Sequence, residues 1–414
     1  MSWHGGTADP AARPDRGDEE VSGSDLVQNI RQRAKEMNEP AEHVRWPDRI
    51  VLEPGALSAA AEYAEEAGFV RILVVADANT YEVAGRRLER SLAERGLKAG
   101  TVLVSPNELG DVVADEASIV QVLLEQQKMK AMALVAAGSG TIHDITRYAA
   151  FTCGIPFVSV PTAPSVDGFT SIGAPLIIRG NKITVPAVGP AAMFADPDIL
   201  TRAPSRLIAA GFGDMLGKYT SLFDWRFGAL CADEPWSPLV ADITERALSL
   251  CVAHAAEIGR ASEEGIAALL RALIESGFAM LLFGQSHPAS GAEHHLSHYW
   301  EMEFIRRKRK QLLHGAKVGV ACAIISDLYR NLPEERLEAA AGDKAGEVSR
   351  LLGGLPEADE LRELLRTVKG PATVEELGID PELAQAGLQH APLVRPHRRT
   401  LLNVLHRLKT PESG

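Results

Sequence analysis

Three histidines crowd one short stretch, and they are the residues of this sequence best suited to chemistry. They are His294, His298 and His314, in the run SGAEHHLSHYWEMEFIRRKRKQLLHG from Ser290 to Gly315. His294 and His298 are four apart, so on a helix they share a face, one turn from each other. His295 projects elsewhere. His314 comes later, just before Gly315, at a distance that suits a second element folded back beside the first. Far upstream, in AAGFGDMLGK, Asp214 is the candidate carboxylate partner. Two imidazoles and one carboxylate make a catalytic divalent-metal site with positions open to water or substrate. Spacing alone does not join His314 or Asp214 to the pair. A helical histidine is also commonly a surface or satisfied core residue.

A second cluster suits a phosphate. Gly138-Ser139-Gly140-Thr141-Ile142-His143-Asp144 follows an apolar run and opens a helical pattern. Glycines there permit a tight turn. The helix start offers unpaired N–H groups, and its dipole favours an anion, so a pyrophosphate fits. The run lacks the full GxGxxG fingerprint, and glycines in such a turn also serve chain geometry alone. After the next strand, PTAPSVDGFTS offers Thr162 and Ser165 to a cofactor and Asp167 to substrate hydroxyls. The competing reading is an ordinary loop in which Asp and Ser cap a helix.

Such residues need a scaffold, and the first half of the chain reads as one. Short apolar runs predict strands at 49–52, 71–76, 100–104, 131–136 and 156–160. Helical patterns at 81–95 and 115–128 lie between them, which predicts a parallel sheet. Asp77 and Asn79 follow the second strand at its carboxyl end, where open α/β sheets bind ligands. The segment from Ala174 to Val185 predicts a hairpin about Gly180-Asn181. Met193 to Ala195 returns to the sheet. A short helix at 26–37 precedes all of this, with Asp25 as its cap. From Pro204 onward long helices are expected at 241–258, 262–283, 313–329, 356–368 and 401–408. Pro356 is expected in a first helical turn, where its missing N–H costs nothing. The boundary falls near Ala203, between an α/β domain at 24–203 and a helical domain at 204–414. Residues 1–23, polar and rich in Gly, Pro and acid, read as a disordered tail.

Composition narrows the function. The 414 residues exceed a usual single domain, and 46% hydrophobic content supplies sizeable cores. A formal charge of −12 argues against general nucleic-acid binding, which needs a basic face. The basic run Arg306 to Lys310 reads as a solvated loop, or as an attractor for an anionic substrate. The four cysteines show no CxxC pairing, which fits free thiols in a reducing cytosol. No apolar run reads as a membrane span of roughly 18 residues, and the N-terminus lacks the apolar core of a signal peptide. A cytoplasmic protein without a membrane span is expected.

Five segments in order carry a family resemblance: GSGTIHD, PTAPSVDGFTSIGAPL, AAGFGDMLGK, PASGAEHHLSHYWE and LLHGAKVG. The sequence resembles the glycerol-1-phosphate dehydrogenases, most closely their bacterial branch. Their superfamily includes glycerol dehydrogenase, the iron-containing alcohol dehydrogenases and dehydroquinate synthase. The resemblance runs from about Val51 to Leu408. It implies a dehydroquinate synthase-like fold: a Rossmann-like dinucleotide-binding domain at 24–203 and an all-α metal- and substrate-binding domain at 204–414, with the active site between them. By motif it makes Asp214, His294 and His314 metal ligands, with nickel or zinc as the ion. It makes Asp167, Asp214 and His298 substrate contacts, with Asp214 and His298 catalytic. Gly138, Gly140, Thr141, Ile142, His143, Asp144, Thr162, Ala163, Pro164, Ser165 and Ser171 match NAD or NADP contacts, and Asp77 matches the ribose position. Lys218 and Lys317 are candidates for the substrate phosphate, with an ordinary ion pair the equal alternative for each. The implied reaction is reversible NAD(P)-dependent reduction of dihydroxyacetone phosphate to sn-glycerol 1-phosphate, with the metal polarising the C2 carbonyl. A homodimer is implied as well. A dehydroquinate synthase-like lyase, or a dehydrogenase of glycerol or another small polyol, are the alternatives.

Overall fold

The computed structural model describes residues 23–39, 41–42 and 44–409. The expected disordered tail lies outside the described residues, except Gly23, which opens a helix running to Glu36.

Six parallel strands form the main sheet: β1 (Arg49–Val51), β2 (Arg71–Ala76), β3 (Lys98–Leu103), β4 (Ala133–Gly138), β5 (Phe157–Pro161) and, after a hairpin, β8 (Ala192–Phe194). Their order is β1-β8-β5-β4-β2-β3. The hairpin is β6 (Gly173–Ile178) with β7 (Asn181–Pro186), antiparallel and pairing Ile178 with Asn181 at its tip. Arg179 and Gly180 make the turn at φ 50° and 76°.

The strand runs lack polar alternation because both faces of the sheet are covered. Side chains still alternate. Ile72, Val74 and Ala76 of β2 join one core, while Leu73 and Val75 join the other. β4 divides in the same way, Val135 and Ala137 against Leu134 and Ala136. Each fully buried aliphatic side chain contributes about 1.5–3 kcal/mol, so these short strands are held by burial on two sides.

The chain passes from β2 to β3 on one side, then crosses to β4 on the other. That reversal opens a crevice at the carboxyl ends of β2 and β4, where open sheets take ligands. Helix α1 (Gly140–Cys153) starts there and ends at Gly154 with φ 66°.

The helices that follow include α2 (Ser205–Leu216), α3 (Lys218–Ala232), α4 (Glu263–Phe283), α5 (Ala292–Arg306), α6 (His314–Arg330), α7 (Pro381–Val394) and α8 (Leu401–Lys409). Three expectations change. Asp25 lies inside the first turn of the helix Gly23–Glu36 and is not its cap. The helix foreseen at 241–258 is two, Pro238–Ala253 and Ala255–Gly259, broken at His254. Pro356 stands before the helix Ala358–Thr367, not in its first turn. Among the described residues α4 is long and apolar enough to cross a bilayer, which the sequence reading passed over. However, 78% of its apolar window is buried inside the fold, as in a core helix.

Candidate active site

A cleft of about 930 Å³ gathers the loops after β2 and β4, the inner face of the hairpin and the histidine face of α5. Of the residues singled out from sequence, Asp77, Gly140, Thr141, Ile142, Asp144, Asp167, Ser171, Asp214, His294, His298 and His314 line it. Gly138, His143 and the run Thr162 to Ser165 do not line this cleft. His143 is turned inward, with Nδ1 at 3.0 Å from the Ser139 carbonyl and Nε2 at 2.8 Å from Ser159 Oγ. Burial pushes it down to about 3, so it stays neutral. The Thr162 N–H donates to the Gly138 carbonyl, binding the two loops together.

The three expected donors converge. One donor atom each from Asp214, His294 and His314 lies within 4.8 Å of the others. Asp214 Oδ1 is 3.6 Å from His294 Nε2 and 3.9 Å from His314 Nε2, too far for hydrogen bonds. It is buried without a hydrogen-bond partner, and so is His314 Nδ1. Buried acceptors left unpaired are costly. A cation among them removes that cost, so the donor set fits a divalent metal ion.

The local chain explains this convergence. Asp214 Oδ2 accepts from the Asp167 N–H at 3.0 Å, which fixes the carboxylate. His294 Nδ1 sits 2.7 Å from Glu293 Oε1. A proton on Nδ1 there leaves Nε2 as the free donor atom facing Asp214. Glu293, absent from the sequence reading, also accepts from the Gly291 N–H and from Thr220 Oγ1, both at 2.7 Å. Burial pushes its carboxyl up, but these hydrogen bonds and His294 outweigh burial and hold it below its ordinary value. Glu293→Gln is therefore expected to weaken metal affinity about 10–100-fold. Competition against a chelator measures this, and unchanged affinity would show the carboxylate has no part in orienting the ring.

Asp224 is the other residue missed from sequence. Its carboxylate accepts from the Ala292 N–H at 2.8 Å, the Leu401 N–H at 2.9 Å and the Tyr329 hydroxyl at 2.9 Å. One buried side chain thus ties the starts of α5 and α8 to α6. Its only sequence signal is an Asp in an otherwise apolar stretch of α3.

Asp167 Oδ2 accepts from Ser276 Oγ and pairs with Lys218 Nζ, each at 2.8 Å. Lys218 also lies 3.6 Å from Asp214 Oδ1. Burial alone would lower this ammonium, but the two carboxylates raise it above its ordinary value. Lys218 and Lys317 are buried and do not line the cleft, contrary to the expectation that they hold a substrate phosphate. Burial, then the cations of Lys182 and Arg395, hold His298 well below its ordinary value, so the ring faces the cleft neutral. In the basic run at 306–310, Arg306 and Arg307 pair with Glu303, Arg309 with Asp380, and Lys310 with Asp111 at the cleft.

Comparison with known proteins finds relatives over most of the chain. The model of the iron-containing alcohol dehydrogenase family matches residues 51–204. The chain is 46% identical over 376 residues to glycerol-1-phosphate dehydrogenase (NAD(P)+) of Geobacillus stearothermophilus, covering 87% of this chain and 93% of that one. It is 31% identical to the same-named protein of Pyrococcus furiosus, again over 87% and 93%. Among solved structures, glycerol dehydrogenase of Schizosaccharomyces pombe superposes with a TM-score of 0.65 at 18% identity, covering 88% of each chain. The NADH-dependent butanol dehydrogenase A of Thermotoga maritima also gives 0.65, at 16% identity over 88% and 97%. At such identities the structures speak for the fold alone.

Proposed function

The chain belongs to the glycerol-1-phosphate dehydrogenase family, and on that premise we propose that it is the oxidoreductase that reversibly reduces dihydroxyacetone phosphate to sn-glycerol 1-phosphate. The observation that carries the reading is the convergence of Asp214, His294 and His314 beside a dinucleotide-sized cleft.

Residues 24–203 act as the dinucleotide-binding domain and residues 204–414 as the metal- and substrate-binding domain. Ser139, Gly140 and Thr141, at the start of α1, receive the pyrophosphate on free N–H groups. Asp77 caps its own turn through Oδ1, accepting from the Asn79 and Thr80 N–H groups at 2.8 and 2.9 Å, and it lines the cleft. A carboxylate there suits ribose hydroxyls and repels a 2′-phosphate, so NAD is the preferred cofactor. Asp77→Ser is expected to raise the NADPH-to-NADH ratio of kcat/KM at least about tenfold, because a like charge is removed. Steady-state kinetics with each cofactor check this, and an unmoved ratio would place the ribose elsewhere.

NADH or NADPH supplies the hydride, which no side chain can. A divalent ion held by Asp214, His294 and His314 supplies Lewis acidity toward the C2 oxygen when bound. Nickel is the proposed ion, with zinc the other that imidazole and carboxylate donors accept. Glu293 holds the His294 ring in the required tautomer. Asp167, pinned by Ser276 and Lys218, orients the substrate hydroxyl. His298, neutral at physiological pH, can donate one hydrogen bond to substrate and accept another. We further place the enzyme in the cytoplasm as a homodimer.

The deciding experiment follows NADH oxidation with dihydroxyacetone phosphate and determines the chirality of the product. Stoichiometric oxidation with sn-glycerol 1-phosphate formed is expected. No net oxidation, or equal turnover of unphosphorylated ketones, would overturn the assignment.

A further inference from the structure

Two cationic side chains, Lys182 and Arg395, line the cleft on the side of the hairpin. On β7, Lys182 and Thr184 are two residues apart and so share one face of the strand. Lys182 Nζ lies 3.0 and 2.9 Å from the two carboxylate oxygens of Glu301. Lys317 Nζ lies 2.8 Å from the same Glu301. Two ammonium groups share this one carboxylate, and Lys182 also lies near Asp144. Burial pushes the Glu301 carboxyl up, yet the two lysines bring it down to about 2, so it is ionised.

A second cation stands at the end of α7. Arg395 donates from Nη1 to Ser286 Oγ at 3.2 Å and Ser290 Oγ at 3.1 Å, and from Nη2 to Thr184 Oγ1 at 3.3 Å. All three of these partners are uncharged hydroxyls. Its neighbour Arg398, by contrast, faces Glu234 at 3.7 Å. Burial and Arg398 bring Arg395 down to about 10, which still leaves it cationic at neutral pH. Lys182, Thr184, Ser286, Ser290 and Arg395 line the same cleft as His298.

We propose that Arg395, with Lys182 and the hydroxyl of Thr184, forms the pocket that holds the phosphate of the substrate. This rests on the reading of the substrate as a phosphorylated triose. A phosphate monoester carries a charge of roughly −1.5 to −2 at neutral pH, and Lys182 and Arg395 are the cationic side chains in the cleft lining that can meet it. A guanidinium is planar and offers paired N–H donors to phosphate oxygens. The serine and threonine hydroxyls hold it in place before substrate arrives, without cancelling its charge. The pocket draws on the hairpin, on the segment before α5 and on the chain after α7. An unphosphorylated ketone would leave this buried charge unpaired, and that disfavours it.

The test compares kcat/KM for dihydroxyacetone phosphate and dihydroxyacetone in the wild type, Arg395→Gln and Lys182→Gln, each metal-loaded. The preference for the phosphorylated ketone is expected to fall roughly 100-fold in Arg395→Gln, mainly through KM, and by a smaller factor in Lys182→Gln. Activation of dihydroxyacetone reduction by added phosphite dianion is expected in the wild type and should be lost in Arg395→Gln. Melting temperatures accompany each variant. If Arg395→Gln does not fold, Lys182→Gln on the hairpin decides. Equal losses on both substrates, or an unchanged preference, would overturn the pocket. A wild type with no preference for the phosphorylated ketone would overturn the substrate reading itself. A wild-type preference that survives in both variants overturns the pocket alone.

Discussion

Replacing His294 with alanine is expected to strip the protein of its metal and lower kcat/KM by at least about 1,000-fold, since several kcal/mol of Lewis-acid stabilisation are lost. The remaining donors, Asp214 and His314, form an incomplete set, and two protein ligands rarely hold a catalytic ion. NADH affinity should stay near the wild-type value. The helix start that receives the pyrophosphate belongs to α1, whereas His294 belongs to α5. Metal analysis of protein purified without chelator or nickel resin, kinetics and an NADH fluorescence titration measure the three quantities. Full metal content or wild-type turnover in His294→Ala would remove the metal assignment. Loss of NADH binding together with activity would point to general misfolding instead.

The second large effect is expected from a residue with no side chain. A Cβ on Gly315 would stand 1.8 Å from the Ala210 carbonyl oxygen, and one on Gly213 would stand 2.4 Å from the Gly315 carbonyl oxygen. Both obstacles are backbone and cannot rotate away. These glycines let α2 and α6 approach until Asp214, beside Gly213, meets His314, beside Gly315. Gly315→Ala must push the helices apart, so it is expected to cost about 3 kcal/mol of stability and to weaken metal binding as well. Gly346 is the control. It lies in the helix Ala345–Leu352, and a Cβ there meets nothing within 4 Å. Gly346→Ala should be neutral, or stabilising by up to about 1 kcal/mol through helix propensity. Urea unfolding of both variants tests the contrast. Equal stability in Gly315→Ala and the wild type would contradict the close crossing.

Much of this architecture was legible before any coordinates. Strands buried on both faces must be apolar throughout, so RILVVA announced β2 directly. The hairpin turn and the helix opening at Gly140 each rest on local chemistry. Errors arose where local pattern and long-range packing disagree. The helical pattern runs unbroken through His254, yet the chain breaks there. Lys218 and Lys317 looked available to an anion because they sit near metal-ligand motifs. In the fold they are buried against Asp167, Asp214 and Glu301.

By itself the sequence determined the kinds of donor present, the helical spacing of His294 and His298, and the alternation that makes a parallel sheet. These depend on residues within a few positions of each other, where the backbone sets the geometry. Family motifs extended that reading to Asp214 and His314. Only the tertiary structure decided that Glu293 orients His294, that Asp224 anchors the start of α5, and that Arg395 reaches Thr184 across the cleft. Those pairings join residues as far apart as 211 positions, and a chain carries no local record of which distant charge will be buried beside it.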